Sequence, residues 1–137
     1  MKKILSLTLV LLMIFSLTFM VSCNDEEPEQ MLYTEDVTLG TGTGALLFTV
    51  EHIDGTKINF NIKTDKTVLS EALLEHGLIE GPVESYGIYV KKVNGITHDY
   101  DRDGTYWSLL IDGEPSYYGA DSVNIDAGVT YTFKAKR

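Results

Sequence analysis

The chain has 137 residues, 20 acidic against 11 basic side chains, a formal charge of −9 and a single cysteine. One cysteine excludes an intrachain disulfide, and the acidic balance argues against nucleic acid and against direct adsorption to anionic lipid. The length suits one domain with a modest core.

Met1-Lys2-Lys3 is a short basic opening, and Ile4 to Ser22 is uncharged and mostly apolar. That is the pattern of a secretory signal. Its length is near the lower limit for spanning a bilayer, so an uncleaved anchor helix is the alternative. Met20-Val21-Ser22-Cys23 resembles a bacterial lipobox, with Met20 where that pattern usually has Leu. The expectation is a signal peptide over 1–22 and lipid attachment at Cys23, holding the protein on the extracytoplasmic face of a bacterial cell membrane. Each buried CH₂ of an acyl chain contributes about 0.8 kcal/mol, so two or three chains make such an anchor durable. Removing residues 1–22 takes away Lys2 and Lys3 and no acid, which deepens the negative charge.

Residues 23–37 contain Asn24-Asp25-Glu26-Glu27-Pro28-Glu29-Gln30, acidic and poor in apolar side chains. They read as a flexible tether, with the domain starting between Tyr33 and Thr38. Gly40-Thr41-Gly42-Thr43-Gly44 is not a phosphate-cradling loop, because it leads into a strand and no Lys-Ser/Thr pair follows. It reads as a flexible loop ahead of the first long strand. Leu46 to Ile53 is β-rich, Asp54-Gly55 is a hairpin signal, and Lys57 to Lys63 alternates with Ile58, Phe60 and Ile62 on one face.

The period then changes. Leu69, Ala72, Leu73 and His76 share a helical face, with Ser70 and Glu71 facing elsewhere. Thr67 is the predicted cap, Gly77 the left-handed residue after the helix, and Leu78 folds back onto Leu73. This Thr67–His76 helix is the one convincing helix after the signal segment. Strands return over Tyr86 to Val93, ending at Asn94-Gly95, over Thr105 to Ile111, ending at Asp112-Gly113, and over Val129 to Phe133. The order predicts an α+β, β-grasp-like fold: a hairpin, one helix, then three or more strands in a mixed sheet.

Several segments then form an ordered set: Gly87-Ile88-Tyr89-Val90-Lys91-Lys92-Val93-Asn94-Gly95, Thr105-Tyr106-Trp107-Ser108-Leu109-Leu110-Ile111-Asp112-Gly113, Gly119-Ala120-Asp121 and Ala127-Gly128-Val129-Thr130. Together with Thr67 to Leu73 they resemble the transcobalamin-like C-terminal domain family of exported proteins. The resemblance covers about Leu46 to the C-terminus and implies a β-grasp-like domain over 38–137. In the animal vitamin B12 carriers this domain closes over cobalamin held against a separate helical barrel, for which this chain has no room. The resemblance therefore implies a small-molecule ligand, with a corrinoid foremost, and only one jaw of the clamp.

On the Thr105–Ile111 strand, Trp107, Leu109 and Ile111 share a face and read as core, while Tyr106, Ser108 and Leu110 face the other way. Eight tyrosines are many for this length. Exposed tyrosines suit contact with planar or sugar-like ligands, and equally they decorate solvated sheets. By resemblance to the carriers' contact region, and by this chemistry, Tyr106, Trp107, Leu109, Tyr117 and Tyr118 are the ligand-site candidates. Asp99-Tyr100-Asp101-Arg102-Asp103-Gly104 copies the start of a calcium loop, but Leu110 stands where a bidentate Glu is needed, so an acidic hairpin loop and no metal is expected. No serine lies in a nucleophile motif, and His52, His76 and His98 are scattered, so no catalytic residue and no cofactor is assigned. Two readings remain: a tethered small-molecule binder, served by an uptake-system partner, and a surface module contacting protein or glycan without a small ligand.

Overall fold

The computed structural model describes residues 28–137. The signal segment and the lipid-attachment cysteine, Cys23, lie outside the described residues.

A six-stranded sheet carries the domain. Its strands are β1 (Val37–Gly40), β2 (Gly44–Glu51), β3 (Lys57–Thr64), β9 (Tyr106–Ile111), β10 (Glu114–Pro115) and β11 (Thr130–Lys136). Their spatial order is β1-β3-β2-β11-β9-β10. The β1–β3 and β2–β11 pairs are parallel and the rest antiparallel, so the sheet is mixed. The Lys57–Lys63 alternation appears as drawn from the sequence: Ile58, Phe60 and Ile62 are buried while Lys57, Asn59, Asn61 and Lys63 are exposed. They join Leu46, Phe48, Val50, Tyr131, Phe133, Trp107 and Leu109 on one apolar face. Burying side chains of this size contributes roughly 1.5–3 kcal/mol each. The Tyr131 hydroxyl is satisfied inside this core, donating to the Asn124 carbonyl at 2.8 Å and accepting from the Asp126 amide at 2.9 Å.

Helix α1 (Leu69–Glu75) lies on that face through Leu69, Ser70, Ala72 and Leu73. Its C-terminus is a Schellman turn: the Leu78 amide bonds the Leu73 carbonyl, the Gly77 amide bonds the Leu74 carbonyl, and Gly77 has φ +65°. Two expectations fail at its start. Thr67 does not cap the helix; the first residue outside it is Val68, and no side-chain cap bond forms. Instead the Leu69 amide donates to Val123 and the Ile125 amide donates to the Thr67 carbonyl. A neighbouring segment of chain therefore does the work of a cap. Ser70, expected to face elsewhere than the apolar stripe, is buried as well.

The glycine run Gly40–Gly44 is a tight arch rather than a loose loop. Strands β1 and β2 flank β3 on opposite sides, so the chain between them must cross the end of β3. The Gly42 amide bonds the Lys63 carbonyl at 3.1 Å, and a Cβ on Gly42 would collide with the Thr64 backbone. Only a residue without a side chain passes there.

The expected Tyr86–Val93 strand is broken in two, β6 (Gly87–Ile88) and β7 (Lys92–Val93). Their partners, β5 (Val83–Glu84) and β4 (Ile79–Glu80), make one long irregular hairpin with them. The interruption falls at Pro82, whose carbonyl accepts from Tyr89 but which has no N–H to return. Strand β7 continues through the Asn94-Gly95 turn into β8 (Ile96–Thr97). Both residues of this turn and both of the Asp112-Gly113 turn have positive φ, as two-residue hairpins require. A single helical turn, α2 (Tyr100–Asp103), occupies the expected acidic loop.

The end of the expected tether is docked on the domain. Glu29 accepts from the Thr97 amide, Leu32 and Tyr33 bond Asn94, the Tyr33 ring meets Phe60 edge-on at 5.5 Å, and Asp36 accepts from Asn59.

Candidate functional site

Helix α1 is too short to cover the apolar face as far as β9. What covers it there is the β5–β6 hairpin on one side and the Tyr117–Ser122 segment on the other, and a cleft of about 330 Å³ opens between them. Its floor is Ile88, Leu109, Ala120 and Phe133, with the edge of Trp107 beside them. Its rim is Tyr86, Tyr117 and Tyr118, and Tyr117 is 99% exposed. No charged side chain lines it, although the molecule as a whole is strongly acidic.

The rim is held by short-range bonds. After β10 the Ser116 amide bonds the Leu109 carbonyl. The Ser116 hydroxyl donates to the Tyr118 carbonyl at 2.8 Å and accepts from the Tyr118 amide at 3.1 Å, closing a tip that projects Tyr117. Gly119 leads into a 3-10 turn, Ala120–Ser122. The Asp121 carboxylate accepts from the Ile88 amide at 2.7 Å, fastening the two walls to each other. A charge-assisted bond of this kind contributes about 1.5–3 kcal/mol.

Trp107 forms the rear of the cleft and has a second environment behind it. Its indole N–H donates to the Ile96 carbonyl at 3.2 Å, and His98 and His52 meet its ring edge-on at 4.9 and 5.8 Å. Burial, chiefly, holds both imidazoles below their ordinary titration range. Tyr89 carries Lys91 over its ring at 5.5 Å, and Lys91 pairs with Asp99 at 3.4 Å.

Of the five ligand-site candidates, the structure brings Trp107, Leu109, Tyr117 and Tyr118 into this one cleft. Tyr106 lies elsewhere: it projects from the opposite face of the sheet and meets Tyr100 at 6.3 Å. Adjacent residues of a strand point to opposite faces, so Tyr106 and Trp107 cannot share a site on one face. The exposed rings of Tyr86, Tyr117 and Tyr118 rim an opening in the core face of the sheet. Tyr86, Ile88 and Tyr89 belong to the cleft and were not among the candidates. The signal for them is the Tyr86–Val93 segment, which the sequence offers as a strand and not as part of a site.

The acidic loop uses its carboxylates internally. Asp103 accepts from the Thr105 amide and hydroxyl and from Arg102, and the Thr105 bonds foremost hold it at about 2. Asp99 receives the Asp101 amide and Lys91. Among the described residues, no group of three or more His, Cys, Asp or Glu side chains is placed to hold a metal ion.

A mixed α+β domain of mostly strands, with one uncharged, tyrosine-rimmed cleft on its core face, is the class defined so far. Residues 65–137, which carry every cleft residue, match the family described as Domain of unknown function (DUF4430), and the chain belongs to that family. In three dimensions it is similar to a candidate metal binding protein from Ruminococcus gnavus ATCC 29149, with a TM-score of 0.64 and 28% identity over 68% of this chain and 96% of that one. It is also similar to haptocorrin in complex with Cbi, with a TM-score of 0.50 and 21% identity over 72% of this chain. That second likeness is one of fold, and it spans 26% of haptocorrin's length. No curated protein matches the sequence.

Proposed function

We propose that this protein is a lipid-anchored surface protein, without enzymatic activity, whose domain captures a small molecule in the Tyr86–Tyr117–Tyr118 cleft, a corrinoid being the ligand class that the transcobalamin-like resemblance favours. The observation that carries the reading is the cleft itself: exposed tyrosines over an apolar, uncharged floor, in a molecule of formal charge −9. Ligand pockets are typically apolar with a few placed polar groups, and about 330 Å³ is at the small end of their range. A corrinoid is larger than that, so the cleft would take one face or one substituent of it. Such half-embrace agrees with a domain that supplies one jaw. The fold likeness to haptocorrin in complex with Cbi supports this, and we read the order of elements without β1 as β-grasp-like: hairpin, helix, then β9 and β10, with β11 parallel to β2 in the middle.

Isothermal titration with cobalamin and with cobinamide tests the corrinoid reading. Saturable heat that is lost in Tyr117→Ala and Tyr118→Ala supports it; no heat above dilution with either compound removes it. The second reading, contact with protein or glycan, rests on Tyr117, whose nearly complete exposure suits a broad partner as well as a small ligand.

A further inference from the structure

The region behind Trp107 has no part in the cleft, yet it holds two buried histidines and an asparagine with no exposure at all. Asn94 sits where the Glu29–Tyr33 strap crosses the β7–β8 turn. Its side-chain oxygen accepts from the Tyr33 amide at 2.9 Å, its Nδ2 donates to the Tyr33 carbonyl at 2.9 Å, and its own carbonyl accepts from the Leu32 amide at 3.1 Å. The approach is so close that a Cβ on Gly95 would collide with the Gln30 carbonyl. The remaining Nδ2 hydrogen faces His52 Nε2 at 3.3 Å.

Hydrogen-bond arithmetic then assigns the protons. An amide nitrogen only donates, so His52 Nε2 must accept and must be unprotonated. On the other side of Trp107, His98 Nδ1 lies 2.8 Å from the Thr105 hydroxyl, which donates onward to Asp103. That hydroxyl oxygen therefore receives the His98 Nδ1 proton, which leaves His98 Nε2 as the bare nitrogen. His98 Nε2 is buried and has no partner among the described residues. Adding a proton to His52 sets N–H against N–H at Asn94; adding one to His98 buries an N–H with no acceptor.

From this geometry we infer that His52 and Asn94, backed by His98 across Trp107, form an acid-released latch that holds the Glu29–Tyr33 strap on the domain at neutral pH and lets it go as the imidazoles protonate. The charges around the latch are mixed. Asp54 favours a proton on His52 and His98 opposes it; Asp103 and Glu29 favour one on His98, and Arg102 and Arg137 oppose it. Burial outweighs the acids at both rings. A histidine titrating lower when docked than when free contributes stability that is complete above about pH 6.5 and is lost as pH falls below it. Glu29 is a separate lower step: burial works to raise it, but the Thr97 bonds, with Lys92 and Arg102, hold it below its ordinary value. Its contribution lasts through the histidine range.

Hydrogen exchange measured by mass spectrometry on the intact chain, corrected for intrinsic rates, tests the latch between about pH 7.5 and about pH 5. The expected result is loss of protection at Leu32 and Tyr33, by up to about tenfold per pH unit for each histidine, while β2, β3 and β11 stay protected. His52→Gln keeps an acceptor for Asn94 but does not titrate, and should reduce that dependence to the His98 share; Glu29→Gln should leave it in place. Strap protection that is constant over this range, or that falls only together with the central strands, overturns the proposal. Should His52→Gln fail to fold, ring ¹⁵N shifts of the unmodified protein decide. Nδ1-protonated His52 titrating at the strap's midpoint supports the latch, and an Nε2-protonated ring, or a midpoint unrelated to the strap, overturns it.

Discussion

At the scale of single residues, the cleft separates side chains that make it from side chains that would use it. Tyr117 is fully exposed and Tyr118 is largely so. Replacing either with alanine removes contact area without opening the core, so unfolding free energy should change by less than about 0.5 kcal/mol. Ligand affinity should fall by roughly 1 kcal/mol or more per ring, which titration beside chemical denaturation would reveal together. Phe133, on the floor, behaves the other way. It is buried and meets Phe48 at 6.2 Å, so Phe133→Ala should cost about 3–5 kcal/mol in denaturant melts. Asp121 stands between these cases. Asp121→Ala leaves the Ile88 amide without its acceptor, and should loosen the hairpin wall at a cost of about 1–3 kcal/mol.

At the scale of elements, the arch over β3 and the end of α1 are the joints that permit this order of strands. Gly42 passes against the Thr64 backbone, where any side chain must displace main chain rather than a flexible neighbour. Gly42→Ala should therefore destabilise, and by more than the roughly 0.4–1 kcal/mol by which glycine-to-alanine changes stabilise at compatible positions. Gly77→Ala meets no atom, and its penalty is conformational only, near 1 kcal/mol. Thermal melts of the two variants side by side test that ranking. The start of α1 is informative in a different way. A Thr67 hydroxyl cap was a sound local inference, and it lost to a tertiary pairing, Val68 with Asn124, that satisfies the same backbone groups.

At the scale of the whole molecule, acid should act in two stages. His52 and His98 are held neutral by burial, so their contribution is present above about pH 6.5 and fades below it. Asp36, Asp54, Asp65 and Asp103 accept backbone amides that hold their carboxyls low, so what they contribute is complete above the ordinary carboxylate range and is lost as pH falls through it towards their depressed values. Tryptophan emission should report the first stage, because the only tryptophan lies between the two histidines. Far-ultraviolet circular dichroism should change only in the second. Coincident transitions would mean that the histidines are coupled to global unfolding.

Much of the architecture was already determined by the amino-acid sequence, because it rests on periods and turn chemistry that act within a few residues. The Lys57–Thr64 alternation, the left-handed pairs at Asn94-Gly95 and Asp112-Gly113, and Gly77 behind the Leu69–Leu73 stripe are all of that kind. Trp107, Leu109, Tyr117 and Tyr118 were legible as candidates through the family resemblance and the tyrosine-rich composition, not through strand parity, which placed Trp107 and Leu109 in the core. The tertiary structure alone decided what depends on distant partners. It set Tyr106 apart from Trp107, gave the cleft Tyr86 and Tyr89, and turned an acidic tether into a strap fastened by Asn94. Contacts such as Asn94 with Tyr33, 61 residues apart, leave no periodic trace in the chain, because they are selected by closing the fold and not by the residues on either side.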